Sequence, residues 1–214
     1  MILGANSAMG RPKGRTEKAE LAENAILEAS AFCIGNEGIE AASITRIAER
    51  AEVSRALVAH YFPKKEELFE KVIVYIARMG VETIDLSAEN LGADPAGKIL
   101  VIVRENMEFF MKRKHYYRCF ILFYHFASID ARLRKINTQF YDRAVERMSG
   151  PVLELNPKLT SDTIKLWSEI LYRGYFFSIQ RYFTVEHNRS AENWRSDAEQ
   201  EIGLMIKTIR QLKS

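Results

Sequence analysis

The sequence predicts an all-α protein of about nine helices, a three-helix N-terminal domain followed by a larger helical domain. Three observations predict it. Apolar residues recur at three- and four-residue spacing along most of the 214 residues. Glycine, proline and small polar clusters interrupt that pattern at short intervals. Within Ser43–Lys65, two short helical patterns flank a tight turn and end on Pro63.

That segment has the outline of a helix-turn-helix, which places one helix in the DNA major groove. Ile44, Ile47, Ala48 and Ala51 form one apolar stripe, and Val53, Val58, Tyr61 and Phe62 form the next. Ser43 is placed to cap the first helix and Ser54 the second, each offering a hydroxyl to the backbone or to a phosphate. With Val58 directed inward, Ala56 and His60 turn outward, flanked by Arg55, Leu57 and Ala59. Arg55 carries the sharpest chemistry, because paired guanidinium donors match guanine O6 and N7 or a phosphate oxygen. The alternative for Arg55 is an ordinary solvated arginine.

The residues 26–73, ILEASAFCIGNEGIEAASITRIAERAEVSRALVAHYFPKKEELFEKVI, resemble the DNA-binding domain of TetR-family transcriptional regulators. Ile26, Leu27, Ala29, Phe32, Gly38, Ile47, Ala48, Ala51, Val53, Ser54, Tyr61, Phe62, Lys65, Glu67 and Leu68 carry the match. His60-Tyr61-Phe62 is the form seen in BetI-like, choline-responsive members. The resemblance implies phosphate contacts by Ser54, His60, Tyr61 and Lys65, and base-edge contacts near Thr45, Arg55 and Ala56; packing alone leaves Tyr61 equally suited to the core. Two departures stand out: Glu52 occupies the turn where the family usually has glycine, and Ala59 stands where an aromatic phosphate contact is common.

Net charge is no argument for DNA binding. The chain is formally +3, and residues 1–78 hold 11 Lys/Arg against 11 Asp/Glu. Distribution matters more: Arg11, Lys13 and Arg15 cluster ahead of the first long helix, beside Pro12 and Gly14. They suit either a flexible basic arm over residues 1–18, reaching backbone or minor groove, or a plain solubilising tail. The helix-turn-helix domain is then expected over 19–65 and a ligand-binding and dimerisation domain over 66–214.

Beyond the head, the patterns predict helices at 20–36, 66–86, 96–112, 116–127, 130–148, 161–183 and 190–212. Breaks are expected at 90–97, 128–130, 150–157 and 186–188. Two aromatic stretches, 109–126 and 171–183, hold more rings than one face can take, so some line a cavity or subunit seam while others fill the core. Effector candidates are Phe109, Phe110, Phe120, Tyr124, Tyr172 and Phe176, with Asn106, Gln139, Glu169 and Arg173 as polar selectors. Glu169 and Arg173, four apart, can equally neutralise one another. The rings suit a hydrophobic, flat or cationic effector, while Lys112, Arg113, Lys114 and Arg118 suit an anion or a solvated corner.

The resemblance implies a homodimer through the last two helices, for which Ile164, Leu171, Ile179, Phe183, Ile202, Met205, Ile206 and Ile209 are the apolar candidates. The expected function is a repressor released from a palindromic double-stranded DNA operator by a small-molecule effector. The alternatives are an activator or a helical interaction protein without DNA binding. Scattered histidines and the lack of HExxH or phosphate-gripping glycine motifs argue against an enzyme, a metal site or a cofactor. Cys33 and Cys119 fall in helical patterns and suggest buried thiols in a reducing compartment. With no run of eighteen apolar residues, no membrane segment is expected and cytoplasm is the expected location.

Overall fold

The structure is a computed structural model that describes residues 17–88, 94–185 and 190–213. The basic-arm residues Arg11, Lys13 and Arg15 lie outside the described residues. Nine helices are found among the described residues, and the backbone packs as two units, Met1–Ile76 and Ala77–Ser214. No helix among the described residues is long and apolar enough to cross a membrane.

The first unit contains α1 (Glu17–Glu37), α2 (Ile44–Arg50), α3 (Arg55–Tyr61) and the opening turns of α4 (Lys65–Ala88). Helices as short as α2 and α3 are unstable alone, so burial must hold them. Ile47, Ala48 and Val58 supply it, packed in a core with Ile26, Val72 and Ile73. Ile44 departs from the expected apolar stripe and is 43% exposed. It occupies the first position of a two-turn helix, whose narrow buried face is already taken by Ile47 and Ala48. α1 ends at Gly38, whose φ of +86° is open to glycine without strain, and whose N–H donates to the Ile34 carbonyl at 2.9 Å.

The second unit comprises α5 (Pro95–Lys112), α6 (Lys114–Ile129), α7 (Ala131–Leu155), α8 (Ser161–Thr184) and α9 (Ala191–Gln211), together with the rest of α4. Asp94, Asp130, Thr160 and Ser190 cap the N-termini of α5, α7, α8 and α9 through their side-chain oxygens. Val103, Met107, Leu171, Ile179 and Ile209 build the core around Trp194. The Trp194 indole N–H donates to the Ser178 carbonyl at 2.9 Å, which lets so large a ring be fully enclosed.

The break expected at 150–157 begins late. α7 runs through Gly150 and Pro151 to Leu155. Pro151 removes one helical donor, yet Met148 and Val152 on either side of it are fully buried, and their packing outweighs the local preference. The true terminus is Asn156, whose amide donates to the Ile209 and Leu212 carbonyls at 2.9 and 3.1 Å and ties the ends of α7 and α9 together. The other boundaries shift from expectation by at most three residues.

Candidate DNA-reading surface and aromatic layer

The turn between α2 and α3 is a Schellman closure. The Glu52 N–H donates to the Glu49 carbonyl at 3.3 Å and the Val53 N–H to the Ala48 carbonyl at 3.0 Å, which satisfies two of the orphan carbonyls of α2. This geometry puts Glu52 at φ +56°, the sole non-glycine residue with positive φ among the described residues. The side chain is exposed, so nothing visible offsets the backbone strain.

Ser43 accepts from the Arg46 N–H at 3.3 Å and Ser54 from the Leu57 N–H at 3.1 Å, so each short helix starts on a side-chain cap. With Val58 fully buried, α3 turns Arg55, Ala56, Ala59 and His60 outward, while Leu57 is half-buried. Thr45 is exposed at the start of α2. Tyr61 is half-buried, and its hydroxyl donates to the Ala19 carbonyl at 3.2 Å, a tie to α1. Lys65 is also engaged: its ammonium donates to the Glu40 carbonyl at 3.1 Å and lies 3.5 Å from that residue's carboxylate.

α2 is fastened to α1 by two arginines one turn apart. Arg46 pairs with Glu37 at 2.7 Å, and the Arg50 guanidinium lies over the Phe32 ring at 3.2 Å. These residues, with Cys33 and Glu49, line an open cleft of about 350 Å³. Burial, helped by the Glu37 charge, pushes the Cys33 thiol up, and Cys33 and Cys119 are both buried. Such a thiol is a poor nucleophile.

In the second unit, the rings form one connected layer across α5, α6 and α8. Phe110 meets Phe120 edge-on at 5.6 Å, Phe120 meets Tyr124 at 6.0 Å, and Tyr124 meets Phe176 at 5.4 Å. Tyr172 stacks on Phe176 at 5.9 Å. The Tyr124 and Tyr172 hydroxyls share a hydrogen bond. Burial pushes Tyr172 up to about 12 and Tyr124 well above the usual phenol range. Phe109 is buried on the other side of α5, against Tyr116 and close to Gly80.

The polar selectors are placed less centrally. The Asn106 amide donates to the Ile102 carbonyl at 2.8 Å within its own helix, and Gln139 is exposed. Glu169 is half-buried and pairs with exposed Arg173 at 3.4 Å, the mutual neutralisation that their spacing allows. Arg113 sits over Phe109 at 5.0 Å, and Lys112 pairs with Glu108 at 3.2 Å. Sequence reasoning passed over Tyr117, which is three residues before Phe120 and seven before Tyr124. That helical register is the signal that would have found it.

Of the expected interface residues, Leu171, Ile179, Ile202, Ile206 and Ile209 are buried inside the protomer and have little surface left for a partner. Ile164, Phe183 and Met205 are partly buried against the same core. The large apolar residues that α8 and α9 expose are Leu166, Phe177 and Leu204, at 51, 61 and 60%. Both helices therefore keep large apolar side chains outside the core, and packing decides which residues are turned inward.

Two short capped helices, the second turning Arg55, Ala56, Ala59 and His60 outward, have the form of a helix-turn-helix. Residues 26–72 match the model of the bacterial regulatory proteins of the tetR family. The HTH-type transcriptional regulator BetI of Vibrio atlanticus is 25% identical over 142 residues, 66% of this chain and 70% of that protein. BetI of Yersinia pestis is 31% identical over 84 residues, 39% and 42% of the two chains. A transcriptional regulator from Rhodococcus sp. superposes with a TM-score of 0.74 at 16% identity, covering 89% of this chain and 99% of that one. A regulator from Saccharomonospora viridis in complex with choline does so with a TM-score of 0.73 at 14% identity, covering 86% and 96%. At such identities the structures establish the fold alone.

Over residues 26–72 the chain thus matches the tetR family of DNA-binding transcriptional regulators, and beyond them it shares the fold of solved regulators. Members of the family are DNA-binding proteins and not enzymes; they generally bind operators as dimers and respond to small-molecule effectors.

Proposed function

We propose that this protein is a repressor that leaves a palindromic operator when a small molecule occupies the aromatic layer of its second unit. The observation that carries the reading is the pairing of a free reading face on α3 with a desolvated ring cluster that exceeds what a small core needs. On this reading Arg55 reads a base edge or grips a phosphate, His60 and Ala56 lie along the groove, and the Ser43, Thr45 and Ser54 hydroxyls approach the backbone. Lys65 and Tyr61, already engaged on Glu40 and Ala19, hold α3 in place as well as approaching phosphate. Arg11, Lys13 and Arg15 would add sequence-independent affinity.

The operator is read by a homodimer, because two α3 helices one DNA turn apart, about 34–36 Å, match successive major grooves. Leu166, Phe177 and Leu204 are the anchors that α8 and α9 offer a second copy. α4 contributes residues to both units, and on this reading ligand occupancy acts through it. The effector is hydrophobic, aromatic or cationic.

Recovery of bound fragments from the source genome, followed by titration of the recovered site, tests the reading. Saturable, salt-sensitive binding to a near-palindrome is expected. Binding that is sequence-blind would overturn it. Activation in place of repression follows if the operator lies upstream of a promoter and does not overlap it.

A further inference from the structure

Tyr117 is a buried polar group that packing does not explain. Its side chain is 4% exposed, its ring stacks on Phe183 of α8 at 4.2 Å, and Phe110 of α5 meets it edge-on at 6.2 Å. The hydroxyl is sealed from solvent and has no hydrogen-bond partner among the described residues. Other buried polar groups of the second unit are better served: Tyr124 and Tyr172 bond to each other, Ser168 donates to the Ile164 carbonyl, and Trp194 donates to the Ser178 carbonyl. A phenylalanine would fill the same space without leaving a donor unpaired.

The surroundings also limit the charge that this layer can hold. A carboxylate at its edge, Glu169, is committed to Arg173 and to the Tyr141 hydroxyl. The phenols offer no substitute anion, because burial pushes Tyr117 and Tyr172 up to about 12 and raises Tyr124 and Tyr175 as well. A buried cation without a counter-charge is expensive. A quaternary ammonium group, moreover, has no lone pair for the Tyr117 hydroxyl to meet.

We propose that Tyr117 is the polar anchor of the effector site, and that the effector is an uncharged, largely aromatic molecule presenting one hydrogen-bond acceptor, such as an aryl ketone or aryl ester. The inference rests on reading the aromatic layer as the effector site. The Tyr117 hydroxyl donates to the carbonyl oxygen, while Phe110, Phe120 and Phe176 receive the flat ring through edge and face contacts.

The test uses the full chain, calorimetric titration and thermal unfolding, with 2-acetonaphthone, the shape-matched hydrocarbon 2-ethylnaphthalene, and choline as probes. Wild type is compared with Tyr117→Phe and Phe176→Ala. The expected result is that the ketone binds wild type about tenfold tighter than the hydrocarbon, that Tyr117→Phe erases that preference without weakening the hydrocarbon, and that choline does not saturate. Tyr117→Phe should also unfold at the same or a higher temperature, since it deletes an unpaired donor. A lower unfolding temperature, equal ketone and hydrocarbon affinity, or tight choline binding unaffected by Tyr117→Phe overturns the proposal. If ketone and hydrocarbon bind equally and Phe176→Ala abolishes both, the layer is still the effector site and only the role of Tyr117 fails. If no probe binds, both readings fail.

Discussion

Replacing Glu52 with glycine isolates the strain stored in the helix-turn-helix. At φ +56° a side-chain-bearing residue costs about 1–2 kcal/mol, whereas glycine is at ease there. Glycine also loses more backbone freedom on folding, about 0.5–1 kcal/mol, which offsets part of the gain. Glu52 is exposed and the two closing hydrogen bonds come from backbone N–H groups, so the substitution loses no contact. The net expectation is a stabilisation of about 0.5–1 kcal/mol, or about 1–4 °C in Tm for a chain of this length. Calorimetry or denaturant titration of Glu52→Gly beside Glu52→Ala reads it directly. Alanine removes the same charge but keeps the Cβ, so it should gain nothing. A glycine variant no more stable than wild type, or an alanine variant that gains as much, would refute the strain argument. Both variants should bind operator somewhat more tightly at low salt, since each removes an anion from the turn leading into α3.

Arg55→Ala should leave the unfolding midpoint unchanged, because Arg55 is exposed, while costing about 1–3 kcal/mol in operator affinity and relaxing sequence preference; footprinting and fluorescence anisotropy measure both. Ala48 is 2% exposed where α2 meets the core, so Ala48→Leu should destabilise by about 1–3 kcal/mol in chemical denaturation. Phe177→Glu with Leu204→Glu should yield a folded monomer in analytical ultracentrifugation, whereas charging them without effect would remove α8 and α9 from the interface. The folded protein holds the Tyr117 and Tyr172 phenolic protons more tightly than the unfolded chain does, up to about 12 from an ordinary value of 10. Their contribution to stability is therefore intact below pH 10 and is lost as pH rises through about 12, which denaturation at stepped pH and phenolate absorbance would follow together.

Local signals carried the head well. Ser43 and Ser54 cap as their positions suggest, because a cap depends only on the next three residues. Val58 is inward and Arg55, Ala56 and His60 are outward, because helical register needs a single reference point. Even the anomaly at Glu52 was visible as a side chain where the turn favours glycine. Ile44 was misplaced in the buried stripe because periodicity does not say how wide a face a two-turn helix can bury.

The second unit shows where such reading ends. The pattern 164–183 and 202–209 is apolar on two sides, and nothing in it says that Leu171, Ile179, Ile202 and Ile209 go inward while Phe177 and Leu204 stay out. Pro151 read as a stop, and only the burial of Met148 and Val152 carries the helix past it. The chain's order of residues settled what depends on near neighbours: helical class, capped turns, the outward face of α3. Tertiary structure decided what depends on distant partners: which stripe is core, that Glu169 is spent on Arg173, and that the Tyr117 hydroxyl is enclosed without one. The physical reason is that helix register is a local property, whereas burial and hydrogen-bond satisfaction are set by elements far apart in the chain.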